Sequence, residues 1–587
     1  MWYICLSLSI LLIVVTCIYL VFAKVKRQRT ISVINILLCS VFVSSTLVFL
    51  PLYYDMFVDS AALPQFLKSI LVSLHHAIRL FIVDSDFQII KDAVPNTNTI
   101  FYNVYTCYTA ILFLLSPLLT FGFIFSFFRN MAAHRKYLAK YNSDVYVFSE
   151  FNDESVALAT SIKEQFNKSA IVFTNVCEEK SDYTELHERA KLIEPIFFEK
   201  DILALHLDAH SKNKDINLMI IGANEEVNLK NALGLINKYN TRPNTQLYVL
   251  SNEIEGELQL NAAQVGEIKV RRISNIRTTI FSILQNKGHL LFEEAIDDST
   301  IGQKRISAVV VGMGKLGKEM TKSLAWFCQM EGYRIEIDSF DMDPQADEHF
   351  AALCPELMDE KINNKFEDVG ESQYRINVHS GVDVDTIKFY NDIKSLTKTT
   401  YVFVDLGSDE KNIRTSIKLR MLFEQIGITP RIHAIVENSA RKKALKDIKN
   451  YSGQPYNIEY EGSTDEIYSY GNIINSDLEH EALNRHLCWG EEAEFWKYEY
   501  NYRSSMASAL HKRMKKICKI PGIEKKPSER LEEEKHTLRL MEHRRWNTYM
   551  RSEGYVFSET RNNMAKTHHC LVTFDLLSQK DKEKDDD

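Results

Sequence analysis

Three unbroken apolar runs, residues 4–23, 31–52 and 104–128, contain no Asp, Glu, Lys or Arg, and they dominate what the first 140 residues can become. About 20 consecutive apolar residues carry a helix across the hydrocarbon core of a bilayer. Within lipid the backbone must satisfy its own hydrogen bonds, which a single segment does only as a helix. Each run therefore predicts a membrane-spanning helix. The first run has no basic leader and no small-residue cleavage site before Lys24-Val-Lys-Arg-Gln-Arg29, so it reads as a retained span and not a secretory signal.

Charge sets the expected orientation. Lys24, Lys26, Arg27 and Arg29 fall in the short link after the first run, and Arg129, Arg135, Lys136 and Lys140 follow the third. Residues 53–103 carry five Asp against three basic residues. Basic flanks stay in the cytoplasm, which predicts an N-terminus outside, 53–103 outside, and everything after 129 inside, in a multi-pass cell-membrane protein. Residues 1–140 hold no Glu and eleven Lys and Arg against five Asp, a net of +6; the rest of the chain is net −14. The acidic part has no basic stripe suited to DNA or RNA. Ten scattered cysteines show no CxxC pair, so neither a zinc site nor a disulfide framework is expected.

Two features inside the membrane part bear on gating. Pro117, with Gly122, predicts a kink in the third span, serving either a gate or an inert anchor. Residues 64–83 read as an amphipathic helix with Leu67, Ile70, Leu71, Leu74, Ile78 and Phe81 on one face, either interfacial or re-entrant. No TVGYG-like filter follows it.

From about residue 143, short β-branched runs alternate with amphipathic stretches, the pattern of a parallel α/β sheet. A strand at Ala308–Val311 leads into Gly312-x-Gly314-x-x-Gly317 and a helix, and the next strand ends at Asp341, with Asp343 beyond. Such glycines permit a tight turn and let a pyrophosphate approach the backbone at a helix N-terminus; the acid then reaches ribose hydroxyls. Two readings stay open: binding of NAD or another adenine nucleotide, or a fold kept for assembly.

On the runs GMGKLG, FDMDP (340–344) and LGSDEKN (406–412), residues 305–446 resemble the TrkA-N/RCK family of cytoplasmic nucleotide-binding domains that regulate potassium channels and transporters. The resemblance implies that Asp341 is the ribose-binding acid and that Lys315 lies near phosphates. Residues 144–253 repeat the same unit in diverged form. Ser149, Phe151 and Glu154 replace its glycines, and Asn228 falls near the place of Asn412 with an offset of one. Phe151 would crowd a pyrophosphate and Glu154 would repel it. Tandem copies of this kind imply a homo-oligomeric gating ring.

Residues 452–535 read as a packed connector, helical from Trp496 to Lys519. Residues 540–587 resemble the ryanodine-receptor repeat (RyR) domain through Glu542, His543, Trp546, Gly554, Tyr555, Arg561, His568, Leu571, Val572, Phe574, Leu577, Lys582, Lys584 and Asp585; His569 departs from the family's usual Pro. Bacterial proteins joining spans, TrkA-N and RyR units are associated with nucleotide-signalled antiviral defence, so the resemblance implies sensing of a nucleotide-derived messenger. Trp546, Tyr549 and Tyr555 would stack on a base, and Arg561 or His568 would contact phosphate or ribose. The alternative for Trp546 and His543 is a core role.

The expected architecture is a three-span α-helical membrane domain (1–140), a degenerate Rossmann-like α/β domain (141–300), a second with the glycine loop (301–450), a helical connector (451–535) and a small, mainly α RyR domain (536–587). The expected function is a nucleotide-gated membrane effector or channel-like protein. The alternative is a membrane-tethered NAD- or ATP-sensing regulator of a separate ion transporter. No G-x-S-x-G elbow or paired nucleophile and base is visible, so a non-enzyme is expected.

Overall fold

The computed structural model describes the chain except for residues 23–29, 59–61, 85–86, 97, 177–182, 208–209, 264–265, 300–301, 360–372, 447, 450–451 and 586–587. The basic link from Lys24 to Arg29, Cys177 and the side chain of Arg129 lie outside the described residues. The chain forms two compact units, residues 1–151 with 169–215 and residues 152–168 with 216–587.

The first unit begins with helices α1 (Trp2–Phe22), α2 (Thr30–Met56), α3 (Ala62–Phe81), α4 (Phe87–Ala93) and α5 (Thr99–Ala139). Among the described residues, three stretches are long and apolar enough to cross a membrane: Trp2–Leu20, Asn35–Met56 and Thr99–Gly122. Asn98 caps α5 by accepting the Ile100 and Phe101 N–H groups, and the helix runs 41 residues through Pro117. At 1.5 Å per residue that is about 60 Å, twice the roughly 30 Å hydrocarbon thickness. The expected third span is thus the first part of a longer rod that contains Arg135 and Lys136.

Hydroxyl groups let these helices approach closely. Tyr108 OH lies 2.8 Å from Ser9 Oγ and 2.7 Å from Ser44 Oγ, and the two serines also bond each other. Thr16 Oγ1 meets Ser40 Oγ at 2.9 Å, Tyr105 OH donates to Val48 O at 2.7 Å, and Trp2 Nε1 donates to Asp55 Oδ2 at 2.8 Å. Helix α3 confirms the amphipathic period of 64–83 but buries its polar side. Gln65, Ser69, Ser73 and His76 face the protein, while Leu67, Leu71 and Ile78 are exposed.

The chain continues through β1 (Val145–Phe148), α6 (Asp153–Gln165), β2 (Ala170–Phe173), α7 (Tyr183–Lys191) and β3 (Ile196–Phe197). In the first unit β1 pairs parallel with β2, and β2 with β3. The last turns of α5 pack on this region: His134 meets Phe198 edge-on at 5.0 Å and Tyr137 lies 5.7 Å from the His210 ring.

The second unit takes α6 and then β4 (Ile216–Ile220), α8 (Glu225–Tyr239), β5 (Thr245–Leu250), α9 (Ile254–Ala263), β6 (Lys269–Ile273), α10 (Asn275–Lys287), α11 (His289–Glu293) and β7 (Ile296–Asp298). Strands β4, β5 and β6 are parallel neighbours in that order. Next come β8 (Gln303–Val311), α12 (Lys315–Phe327), β9 (Tyr333–Phe340), α13 (Ala346–Leu353), β10 (Tyr374–His379), α14 (Ile387–Ser395), β11 (Tyr401–Val404), α15 (Asp409–Gln425), β12 (Arg431–Ile435), α16 (Ser439–Leu445) and β13 (Ile458–Glu461). They build a sheet of order β10-β9-β8-β11-β12-β13, with β7 antiparallel on β8. Apart from that hairpin the pairing is parallel, the doubly wound arrangement whose crevice opens where β8 meets β11. Strand β8 starts five residues before the apolar Ala308–Val311 run, because its polar Gln303–Arg305 half pairs with β7.

One face of this sheet buries Val309, Val311, Phe340, Val402 and Ile432 under α14 and α15. The chain then forms the short helices α17 (Thr464–Ile467) and α18 (Tyr470–Ile473). The other face of the sheet, with Trp326 and Phe327, shares a core with the C-terminal helices α19 (Asp477–His486), α20 (Glu492–Lys497), α21 (Glu499–Ile517) and α22 (Glu532–Ser552). Leu478, Phe495, Leu510, Leu538 and Met541 belong to that one cluster. Each such side chain contributes about 1.5–3 kcal/mol on burial. The helix expected over 496–519 is two helices, parted at Tyr498. After α22 the chain forms two-residue strands β14 (Val556–Phe557) and β15 (Thr567–His568) and a short α23 (Gln579–Lys582).

Candidate functional site

The glycine loop joins β8 to α12, and its three glycines have different duties. Gly312 has φ +96°, and a Cβ there would sit 1.9 Å from Asp405 O. A Cβ on Gly317 would sit 1.8 Å from Gly312 O. Those two are needed for the turn and for close packing. Gly314 is different: a Cβ there would meet nothing within 4 Å. It is the N-cap of α12 and offers that helix no side-chain cap, so the positive helix end faces open space.

That space is a cavity of about 610 Å³. Gly312, Gly314, Lys315 and Asp341 line it, together with Asp383, Asp385, Asp405 and Glu437. Asp341 stands at the end of β9 and accepts the Met313 N–H at 2.6 Å, tying the acid to the loop. Burial raises the Asp405 carboxyl. Burial also raises Glu437, reinforced by Asp409, Asp405 and Glu154. Acids that accept hydroxyl and amine protons suit the ribose and base of a nucleotide. The start of α12, Lys315 (whose Nζ lies 3.0 Å from Glu253 Oε1), Lys411 and Arg414 are the groups on this wall that suit phosphate. Gly317 sits inside the turn and Asp343 does not line the cavity. Asp343 accepts the Gln345 N–H at 3.0 Å and holds His349 Nδ1 at 2.8 Å, so it shapes the entry to α13. Those bonds lower its carboxyl below the usual range.

A second cavity, about 410 Å³, lies beside α22. Helical spacing puts His543, Trp546 and Met550 on its wall, and residues 561–570 and 581–585 close it. Trp546 meets His568 edge-on at 4.8 Å, and Arg561, Lys584 and Asp585 complete the rim. Trp546, Arg561 and His568 are therefore brought together on one cavity. Tyr549 and Tyr555 are not: both are buried in the core, 3% and 5% exposed, and neither lines this cavity. Tyr549 instead meets Trp326 edge-on at 5.9 Å.

The decisive group is Arg545, which the sequence reading missed. It is 1% exposed, and its Nε and Nη2 donate to Glu542 Oε1 at 3.2 and 2.8 Å. Arg545 lines the cavity, and its buried Nη1 has no hydrogen-bond partner among the described residues. Burial opposes ionisation of Glu542, but Arg545, Lys515 and Arg485 together hold it well below the carboxylate range. Two further cations therefore help to neutralise the acid that Arg545 pairs with, leaving Nη1 as an unfilled donor. His543 has a positional role, with Nε2 2.9 Å from Val572 O and Nδ1 3.3 Å from Asp585 Oδ2. His568 Nδ1 accepts the Cys570 N–H at 3.1 Å, so its proton sits on Nε2.

No protein-family model matches the chain. No curated protein matches it either.

Two groups of side chains have metal-like proximity among the described residues: His568, His569 and Cys570, and His433, Glu459 and Glu461. Burial pushes the Cys570 thiol up to about 11, which keeps it protonated. Lys287 and Lys442 already bring cations to Glu459 and Glu461, at 2.6 and 3.7 Å.

The two cavities are mechanically linked. Helix α12 starts at the glycine loop, and its far half packs on α22. Glu553, the C-cap of α22, accepts from Arg277 Nη2 at 2.6 Å and Arg503 Nη1 at 3.4 Å, with Lys322 Nζ of α12 at 3.9 Å. The sequence signal for Arg545 was its three-residue spacing from Glu542. For Asp405 and Glu437 it was their place at the carboxyl ends of parallel strands, where doubly wound sheets bind ligands.

Proposed function

We propose that this chain is a nucleotide-gated membrane effector, in which a small nucleotide-derived messenger in the α22 cavity shifts the α/β regions and thereby the membrane helices. The observation that carries this reading is the continuity of α5. One unbroken helix runs from the apolar Thr99–Gly122 stretch to Ala139 and packs its end on Phe198. A helix continuous through Pro117 carries displacement from one end to the other. The unpartnered Arg545 Nη1, with Arg561 and Trp546, supplies what a phosphate and a base would use. The glycine-loop cavity takes NAD or another adenine nucleotide as a second, modulatory ligand, with ribose on Asp341 and phosphate at Gly314 and Lys315.

The resemblances to TrkA-N/RCK and RyR domains support reading the chain as a homo-oligomeric sensor of antiviral defence, with the sensor in the cytoplasm and the N-terminus outside. The three spans of several copies surround the conducting path. No chemical turnover is assigned to it.

The test is mass spectrometry of nucleotides co-purified with the full chain, followed by ion flux from liposomes titrated with them. Nucleotide-dependent flux that Arg561→Ala weakens supports the proposal. Tight binding without flux at any voltage favours the alternative, a tethered regulator of a separate transporter. Retention of all nucleotides by both Arg561→Ala and Gly314→Asp rejects both sites.

A further inference from the structure

Helix α3 presents its faces the wrong way round for a helix in water. It buries Gln65, Ser69, Ser73 and His76 beside Ala77, Leu80 and Phe81, and leaves Leu67 52%, Leu71 66% and Ile78 48% exposed beside Lys68 and His75. A water-facing helix keeps its serines and amides outward and such leucines inward, because apolar area is what burial removes from solvent. Of the buried polar groups, Gln65, Ser69 and Ser73 are satisfied inside the unit, while His76 Nε2 has no hydrogen-bond partner among the described residues. Ser69 and Ser73 donate to the carbonyls of Gln65 and Ser69 at 2.7 and 2.6 Å, and Gln65 Nε2 donates to Tyr54 O at 2.7 Å.

The depth of α3 follows from its neighbours on α2. Gln65 sits at Tyr54, His76 at Tyr53 and Phe49, and Phe81 at Phe42. Both ends of that ladder lie inside the membrane-length stretch Asn35–Met56. From Met56 to Phe42 is 14 residues, about 21 Å of helix. The chain then returns: Phe87 meets Phe113 edge-on at 5.5 Å, and Ile90 and Val94 are buried with Val41, Phe49 and Phe101. Helices α1 and α5 also expose apolar residues, among them Leu11, Val15, Leu114 and Leu118. The charged pair near the turn is mutually neutralised, Arg79 donating to Asp84 at 3.1 and 3.3 Å, as ionisable groups at membrane depth require.

We infer that α3 and α4 form a re-entrant hairpin, with the Leu67–Leu71–Ile78 face of α3 resting on bilayer acyl chains as a fourth membrane-embedded element. It rests on the reading that α2 and α5 cross a bilayer. Residues 53–103 are then largely within the membrane and not an outer domain.

The experiment uses the full-length protein in phosphatidylcholine liposomes and needs no substitution. Lipids carrying a diazirine near the glycerol or near the chain terminus are photolysed, adducts are mapped by mass spectrometry, and hydroxyl-radical oxidation is mapped in parallel. The expected result is shallow-probe adducts at Leu67, deep-probe adducts at Ile78, and adducts on α1 and α5. Labelling of α3 by the shallow probe alone makes it interfacial and overturns the hairpin. Adducts on α1 and α5 with an oxidised, unlabelled α3 overturn it in favour of water. The same with an unoxidised α3 overturns it in favour of a second copy of the chain. Oxidation everywhere with no adducts overturns the spans themselves.

Discussion

Asn228 and Asn412 make the same bonds in the two α/β regions. Asn412 accepts the Leu406 N–H at 2.6 Å and donates to Ile435 O at 2.9 Å. Asn228 accepts the Gly222 N–H at 3.0 Å and donates to Gly222 O at 2.8 Å and Leu250 O at 3.1 Å. Each stands four residues after its helix N-cap, Asn224 or Ser408, and six after the loop residue it holds. No offset is needed: the copies coincide there, and a buried amide pins the crossover loop to the end of the following strand.

Replacing Asn412 with Ala strands a buried N–H and a buried carbonyl. The expected loss is about 1–3 kcal/mol, read as a lower urea midpoint of the solubilised protein. Asn228→Ala loses a similar amount, and a null effect at either position would separate the two copies.

The glycines give a graded series. Gly317→Ala and Gly312→Ala drive a Cβ into backbone oxygen at 1.8 and 1.9 Å and are expected to destabilise by at least about 1–3 kcal/mol. Gly314→Ala meets open space and leaves the melting temperature within about a degree or two, a change under roughly 0.5 kcal/mol. Its consequence is confined to nucleotide retention, measured by mass spectrometry of the purified variant.

Glu553 makes the second unit acid-sensitive. Burial raises its pKa, but Arg277, Lys322 and Arg503 overcome this and hold the carboxyl well below the usual range. A carboxyl depressed in the fold contributes stability that is complete above the unfolded value of about 4.3 and is lost as pH falls toward the folded value. Glu553→Gln leaves buried cations undercompensated and is expected to cost about 3–5 kcal/mol at neutral pH. Melting temperatures below pH 4.3 then fall less steeply than in the parent protein.

His568 reports on the second cavity. Burial, then Arg561, His569 and Lys584, lower its pKa to about 4. The imidazole is neutral in the fold but protonates near 6.5 when unfolded, so its contribution is complete above about 6.5 and lost as pH falls from there toward 4. An anion bound beside Arg561 offsets the repulsion and raises that pKa, which histidine-labelled NMR titration with and without nucleotide measures. A titration curve indifferent to saturating nucleotide removes the cavity from consideration.

Arg561 is exposed, so Arg561→Ala keeps its melting temperature while binding weakens about tenfold, the loss of one charge-assisted contact. Isothermal titration with the co-purified nucleotide, run beside a thermal melt, separates binding from folding.

The chain's own sequence determined the features that depend only on neighbours along the backbone. Membrane length and absence of charge place the apolar runs inside α1, α2 and α5. A strand, three glycines and a helix mark the β8–α12 turn, where Gly317 packs against Gly312 O five residues back; the oxygen that crowds Gly312, Asp405 O, comes from a distant strand end. Tertiary structure decided which face of each element meets what. Helix α3 has the period read from the sequence, yet only α2 beside it determines that the serines turn inward and the leucines out. Tyr549 and Trp546 share a helix three residues apart. Trp326, over 200 residues away, draws one into the core, while the loop carrying Arg561 and His568 encloses the other. Asp343 was taken by a local turn, and Asp405 and Glu437 reached the cavity because parallel strands end at a common edge. Periodicity is a property of one segment, whereas burial belongs to pairs of segments.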